Sequence, residues 1–139
     1  MKAIIVYDTK FGNTEQVAEG IAKVLNADLI KVTEVDPAKL KIYDIFIFGS
    51  PTHAWNMSGG MKKVFNKLKG HSFEGKKATA FDTKLNTRFA GNAATKIQSK
   101  LKKLGFSIAM KPVHFFVIGR EGPLADGEME KVKAFSTLK

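Results

Sequence analysis

The chain has 139 residues, of which 44% are hydrophobic, a formal net charge of +10 and no cysteine. That length and content give one globular domain with a real core, not two domains and not a disordered chain. The missing cysteines exclude disulfides, thiolate catalysis and cysteine metal sites, and fit a reducing cytoplasm.

In chain order, Ala3-Ile4-Ile5-Val6-Tyr7 is continuously apolar and rich in β-branched residues, which predicts a strand buried on both faces. Val17, Ala18, Ile21, Ala22 and Leu25 then recur at helical spacing, with Glu15, Glu19 and Lys23 outside the stripe. A second strand is predicted over Ala27 to Thr33, and Pro37 starts a turn or a single helical turn in the connector from Glu34 to Leu40. The third strand runs from Tyr43 to Phe48 and is closed by Gly49-Ser50-Pro51. From Ser58, the stripe Met61, Val64, Phe65, Leu68 predicts a second helix ended by Gly70. Lys77 to Asp82 reads as a fourth strand and Ala93 to Leu104 as a third helix, stopped by Gly105. A fifth strand system, Ser107 to Met110 and Val113 to Ile118, is interrupted by Pro112, and a terminal helix follows from about Asp126 to Leu138.

Strands alternating with helices predict an α/β fold, a single domain over residues 1–139 with a parallel sheet covered on both sides. A three-layer, doubly wound sheet of five parallel strands in order 2-1-3-4-5 binds ligand outside the carboxyl ends of strands 1 and 3, where the winding reverses. No apolar run approaches membrane-spanning length. Met1-Lys2 leads straight into a strand too short for a signal core. His53, His71 and His114 lie far apart with no ligand spacing, so no metal is expected.

The chemistry centres on Thr9-Lys10-Phe11-Gly12-Asn13-Thr14, the predicted turn between the first strand and the first helix. A helix starting there points unpaired amides and a partial positive charge into the turn. Gly12 permits close approach of a ligand, and Thr9 and Thr14 add hydroxyls, so the turn makes a socket for a phosphate. The plainer reading is an ordinary turn in which Asn13 or Thr14 caps the helix. Neither Gly-x-x-x-x-Gly-Lys-Ser/Thr nor a Gly-x-Gly-x-x-Gly after the first strand is present.

Ile5 to Thr14, followed by Ala18 and Ile21, resembles the amino-terminal signature of the flavodoxins, and the resemblance extends over essentially the whole chain as the short-chain type. It implies the same strand order, a non-covalent FMN whose 5′-phosphate sits in the first loop, and no catalytic residues. Lys10 departs from a family that usually has no basic side chain there. Gly49-Ser50-Pro51-Thr52-His53-Ala54-Trp55-Asn56 resembles the loop that packs on the isoalloxazine, with Ser50, Pro51, Thr52, His53, Ala54 and Asn56 placed around the ring. Trp55, the only tryptophan, is suited to stack on a flavin, worth roughly 0.5–1.5 kcal/mol beyond burial; packing on a neighbouring loop is the alternative. His53 is either a partner of the ring or a surface histidine.

The loop after strand 4, from Asp82 to Asn92, is implied to cover the other ring face through Asp82, Thr83, Lys84, Phe89 and Gly91. Flavodoxins often carry a tyrosine or tryptophan and an acidic stretch there. Phe89 is the sole aromatic here, and Lys84 and Arg88 replace the acids. One such charge at about 10 Å and an effective dielectric of about 20 is worth roughly 1.7 kcal/mol before salt screening. Reduced FMN ionises to an anion, so its lower-potential couple is expected to lie higher than in acidic flavodoxins. Gly119-Arg120-Glu121-Gly122-Pro123 is another carboxyl-end loop at the sheet edge and reads as structural, with partner contact as the alternative.

The lysines gather in two groups, Lys62, Lys63, Lys67, Lys69 and Lys96, Lys100, Lys102, Lys103, both on predicted helices. They are either solvated helix faces or a surface for an acidic partner or polyanion. No nucleic-acid module accompanies them. The expected function is an FMN-binding carrier, a cytoplasmic monomer that shuttles single electrons between redox enzymes with acidic docking faces. The alternatives are an FMN-dependent NAD(P)H:quinone-type oxidoreductase and a flavodoxin-fold interaction module that has lost FMN. A phosphorylated receiver domain fails, because strand 3 ends Phe48-Gly49-Ser50 without an aspartate and only Asp8 follows strand 1.

Overall fold

β1 (Ala3–Tyr7) is buried along its whole length because it has a parallel neighbour on each side. β2 (Asp28–Lys31) lies along one edge and β3 (Ile45–His53) along the other. The computed structural model describes residues 1–87 and 89–139. β3 folds back on the two-residue β4 (Asn56–Met57) and pairs in parallel with β5 (Lys77–Leu85). The outer strand is split: Lys77 and Ala78 pair with β6 (Ser107–Ile108), and Phe81 to Leu85 pair with β7 (Val113–Val117). The sheet order β2-β1-β3-β5-β6/β7 is thus the expected 2-1-3-4-5, with β4 added as a hairpin arm and the fifth strand broken around Pro112.

Side chains alternate across the sheet, so each strand feeds two cores. Ile5, Ile47, Phe81 and Phe115 pack under α1 (Asn13–Leu25) and a carboxyl-terminal 3₁₀ helix (Glu128–Leu138), against Val17, Ile21, Val132 and Phe135. Ile4, Val6, Phe46 and Phe48 pack on the opposite face under α2 (Gly59–Leu68) and α3 (Ala93–Lys103). That second core is aromatic at its amino end, where Phe46 meets Phe73 and Phe106, whose rings stack with centroids 4.7 Å apart. No helix among the described residues is long and apolar enough to cross a membrane.

Several boundaries differ from expectation for local reasons. β2 stops at Lys31 because Val32–Glu34 coil into a 3₁₀ turn, with the Lys31 amide donating to Glu34 Oε1 at 3.0 Å. Pro37 does start a helical turn, a 3₁₀ segment over Pro37–Ile42 begun by Asp36 accepting the Ala38 amide. Gly49-Ser50-Pro51 do not close β3: they stay in register with Phe81, Asp82 and Thr83 of β5 and carry the strand to His53. Gly49 is required there, since a Cβ would overlap the Phe81 ring. β5 likewise runs past Asp82 to Leu85, because Thr83 to Leu85 find partners in Phe115 to Val117. The terminal helix is 3₁₀, entered through Gly127 at φ +81°.

Candidate functional site

The loop leaving β1 is held from below. Asp8 accepts the Thr9 amide at 2.9 Å through Oδ1 and the Ser58 hydroxyl at 2.6 Å through Oδ2. Ser58 in turn caps α2 by accepting the Met61 amide, and its own amide donates to Ser50 Oγ at 2.9 Å. Gly60 leaves room for this carboxylate, since a Cβ would lie 2.5 Å from Asp8 Oδ2. Above it, Thr9 Oγ1 accepts the Gly12 amide at 3.0 Å, and Gly12 enters α1 at φ +92°. No side chain caps α1, so its first-turn amides keep their hydrogens for an outside acceptor. Thr14 and Thr83 share a buried hydroxyl bond of 2.9 Å that joins this loop to β5.

The second wall follows β3. Ala54 and Trp55 take φ values of +46° and +68°, left-handed conformations that non-glycine residues rarely adopt. Trp55 is 60% exposed and pairs with Gly91 in an isolated bridge. Between the walls lies a cleft of about 600 Å³, within the roughly 300–1,000 Å³ typical of small-molecule sites. Thr9, Lys10, Phe11, Asn13 and Thr14 line one end. Pro51, Thr52, His53, Ala54 and Trp55 line one side, with Thr83 and Lys84 from β5.

The other residues singled out from the sequence stand behind or beside this surface. Gly12 shapes the helix entry, and Gly91 backs Trp55. Ser50 is buried and donates to the Pro51 carbonyl. Asn56 accepts the Met57 amide within the hairpin. Asp82 is fully buried, with Oδ2 accepting the Ala94 amide at 2.9 Å and Oδ1 2.9 Å from His114 Nδ1, so both oxygens serve the scaffold. Phe89 is 65% exposed beyond the cleft lining. Arg88 lies outside the described residues.

Four lining residues were not anticipated: Leu85, Ala90, Val117 and Arg120. Arg120 belongs to the edge loop read as structural. Asn13 pulls that loop onto the socket by donating to the Glu121 carbonyl at 3.1 Å, and Gly122 fits because a Cβ would lie 2.5 Å from Asn13 Oδ1. The available signal was position, since this loop also follows a strand's carboxyl end.

No carboxylate lines the cleft among the described residues, whereas Lys10, Lys84 and Arg120 do. None of these three cations belongs to an ion pair among the described residues. The histidine beside them responds. Burial pushes the His53 imidazole below its ordinary value, Lys10 and Arg120 push it further down, and Asp8 opposes them. His53 is therefore neutral at pH 7.

The sequence matches the family model described as "Flavodoxin domain" over residues 4–131. It is 33% identical over 117 residues to a flavodoxin of Maridesulfovibrio salexigens, covering 75% of this chain and 78% of that one. A flavodoxin of Clostridium saccharobutylicum is 36% identical over 89 residues, 60% of this chain and 56% of the other. The fold superposes on the crystal structure of oxidised flavodoxin 1 from Bacillus cereus with a TM-score of 0.85 and 22% identity, covering 98% of this chain and 95% of that one. A match over nearly the whole chain, together with the doubly wound sheet and its cleft at the winding reversal, makes this protein a member of the flavodoxin family.

Proposed function

We propose that the chain binds FMN non-covalently and carries single electrons between larger redox proteins. The observation that carries this reading is a single cleft joining two unlike ends: an uncapped helix start flanked by threonines, and an exposed tryptophan held in a strained turn. The first suits a phosphate dianion and the second a flat ring.

Bound FMN would supply the redox chemistry, and the chain's residues supply the setting. The first-turn amides of α1 and the Thr9 and Thr14 hydroxyls would take the phosphate oxygens, with Lys10 and Arg120 adding positive charge. Trp55 offers a stacking face, and neutral His53 can accept one hydrogen bond and donate another. The cleft's positive rim favours a negatively charged cofactor.

Exposed apolar residues collect around the mouth: Phe11, Trp55, Leu85, Phe89 and Ile118. Interleaved with Lys10, Lys84 and Arg120, they form a rim suited to transient docking on a partner with an acidic face.

The test is titration of the purified chain with FMN and, separately, riboflavin, followed by visible absorbance and quenching of flavin fluorescence. Tight binding of FMN and much weaker binding of riboflavin is the expected result; equal affinities or no binding overturns the assignment. Bleaching of the loaded protein by NADPH alone would turn the reading toward an oxidoreductase.

A further inference from the structure

Five lysines drawn from the two sequence groups line one groove. α2 and α3 both begin beside the cleft, at Ser58 and Asn92, and run side by side away from it. Their carboxyl ends therefore meet at the opposite end of the sheet. A groove of about 840 Å³ opens there, between Lys62 and Lys69 on one side and Lys100, Lys102 and Lys103 on the other. His71, Ser72 and Asn66 also line it, and Glu74 is the single carboxylate among its described lining residues.

Lysines near helix carboxyl ends have an ordinary role, which is to offset the helix dipole. That role applies to Lys69, Lys100, Lys102 and Lys103 and not to Lys62, which stands in the first half of α2, and magnitude shows that it does not account for the group. Two helix ends contribute about one negative charge between them and Glu74 one more, so a surplus of about three positive charges remains. All five lysines are exposed, and none belongs to an ion pair among the described residues.

We propose that this groove binds an oligophosphate chain, either free or as the tail of a nucleotide. The lining selects among anions. The aromatic residues nearby, Phe65, Phe73 and Phe106, are buried, which leaves no stacking platform for unpaired bases. Exposed apolar anchors of the kind that hold a protein segment are missing among the described lining residues. The groove has no arginine, so it offers no planar fork for carboxylate recognition. What remains is a set of mobile point charges with hydroxyl, amide and imidazole donors, the chemistry that suits several phosphoryl groups in a row.

The experiment is calorimetry of the full chain with tripolyphosphate and with ATP, without divalent metal, at low and at physiological salt. Three charge-reversed variants are compared: K69E/K102E/K103E in the groove, K23E/K31E/K139E with the same net charge elsewhere, and K10E/R120E at the cleft. The groove variant is expected to lose about tenfold or more in affinity, with the other two near the parent. Equal binding of tripolyphosphate and ATP identifies the free chain as sufficient, and tighter ATP identifies the nucleotide tail. The proposal fails if the distant triple variant loses as much as the groove variant, if the loss follows K10E/R120E, or if nothing binds at physiological salt. It also fails if poly-glutamate or duplex DNA binds the groove more tightly than tripolyphosphate. Circular dichroism of each variant separates unfolding from lost binding.

Discussion

Gly91 lies so close beneath Trp55 that a Cβ on it would stand 2.6 Å from the tryptophan Cβ. The glycine is also at φ +82°, and the two residues pair in an isolated parallel bridge. The only tryptophan is thus aimed by the loop after β5, not by its own loop alone. Gly91→Ala should cost about 1–2 kcal/mol through the left-handed backbone and the displaced loop. It should also weaken FMN binding by about tenfold, because the stacking face moves while the phosphate socket stays. Trp55 emission reports the displacement directly, and unchanged emission with unchanged FMN affinity would show that the contact does not set the ring's position.

The layered fold was legible because its periods are clean. β1 read as a doubly buried strand, and α1, α2 and α3 carry unbroken apolar stripes. The turn from β1 into α1 was legible because it is local in sequence. The direction of the Asp82 side chain follows from the pleat: Thr83 faces α1 and meets Thr14, so Asp82 faces α3, where it meets Ala94. Gly49-Ser50-Pro51 looked like punctuation, yet a strand paired in register with Phe81, Asp82 and Thr83 overrides the turn propensity of those residues. Arg120 had only its position after a strand's carboxyl end to mark it, because the bond that draws its loop to the cleft runs from Asn13 to Glu121, 108 residues away in sequence.

Asp82 tests the scaffold role of its carboxylate. In Asp82→Ala the Ala94 amide at the start of α3 and the His114 ring both lose a buried partner. The expected cost is about 2–4 kcal/mol, read from urea unfolding midpoints. Asp82→Asn keeps an oxygen for Ala94 and should lose less, with FMN affinity within about twofold of the parent. A large, selective loss of FMN binding in Asp82→Asn would return this residue to the cofactor site.

Tyr7 gives the protein an alkaline limit. Its hydroxyl donates to Glu15 at 2.8 Å, and burial, with Glu15 behind it, pushes the phenol up to about 12. The unfolded chain releases this proton near pH 10, so between pH 10 and 12 the unfolded state ionises while the folded state does not. Stability is fully present below pH 10 and falls as pH rises through that window, by up to about 3 kcal/mol from this group. Tyr7→Phe should flatten the slope relative to the parent in the same buffers, which removes the shared contribution of lysine titration. Parallel slopes would place the alkaline sensitivity elsewhere.

His53 reports the positive end of the cleft. Because burial, Lys10 and Arg120 lower its pKa, the unfolded chain takes up a proton first as pH falls below the ordinary 6.5, and acidification through that window costs stability. Lys10→Ala and Arg120→Ala should each move the imidazole titration upward, measured by NMR at low salt. Added salt should shrink both shifts. A His53 titration indifferent to both substitutions would mean that burial alone sets it.

Lys84 lines the cleft in the stretch where flavodoxins often carry acids, and no carboxylate lines the cleft beside it among the described residues. Reduction of FMN adds negative charge to the ring, so each nearby positive charge raises the potential of the step that forms the anion. At about 10 Å and an effective dielectric of about 20, one unit charge contributes roughly 1.7 kcal/mol, and reversing its sign doubles the difference. Lys84→Glu should therefore lower that potential, with Lys84→Gln giving about half the fall, in anaerobic spectroelectrochemical titration. The two falls should keep their ratio while both contract as salt rises, since screening acts on the same interaction. Equal effects of Gln and Glu would point to a hydrogen bond or a shape change at residue 84, because a neutral substitute removes the charge without supplying its opposite.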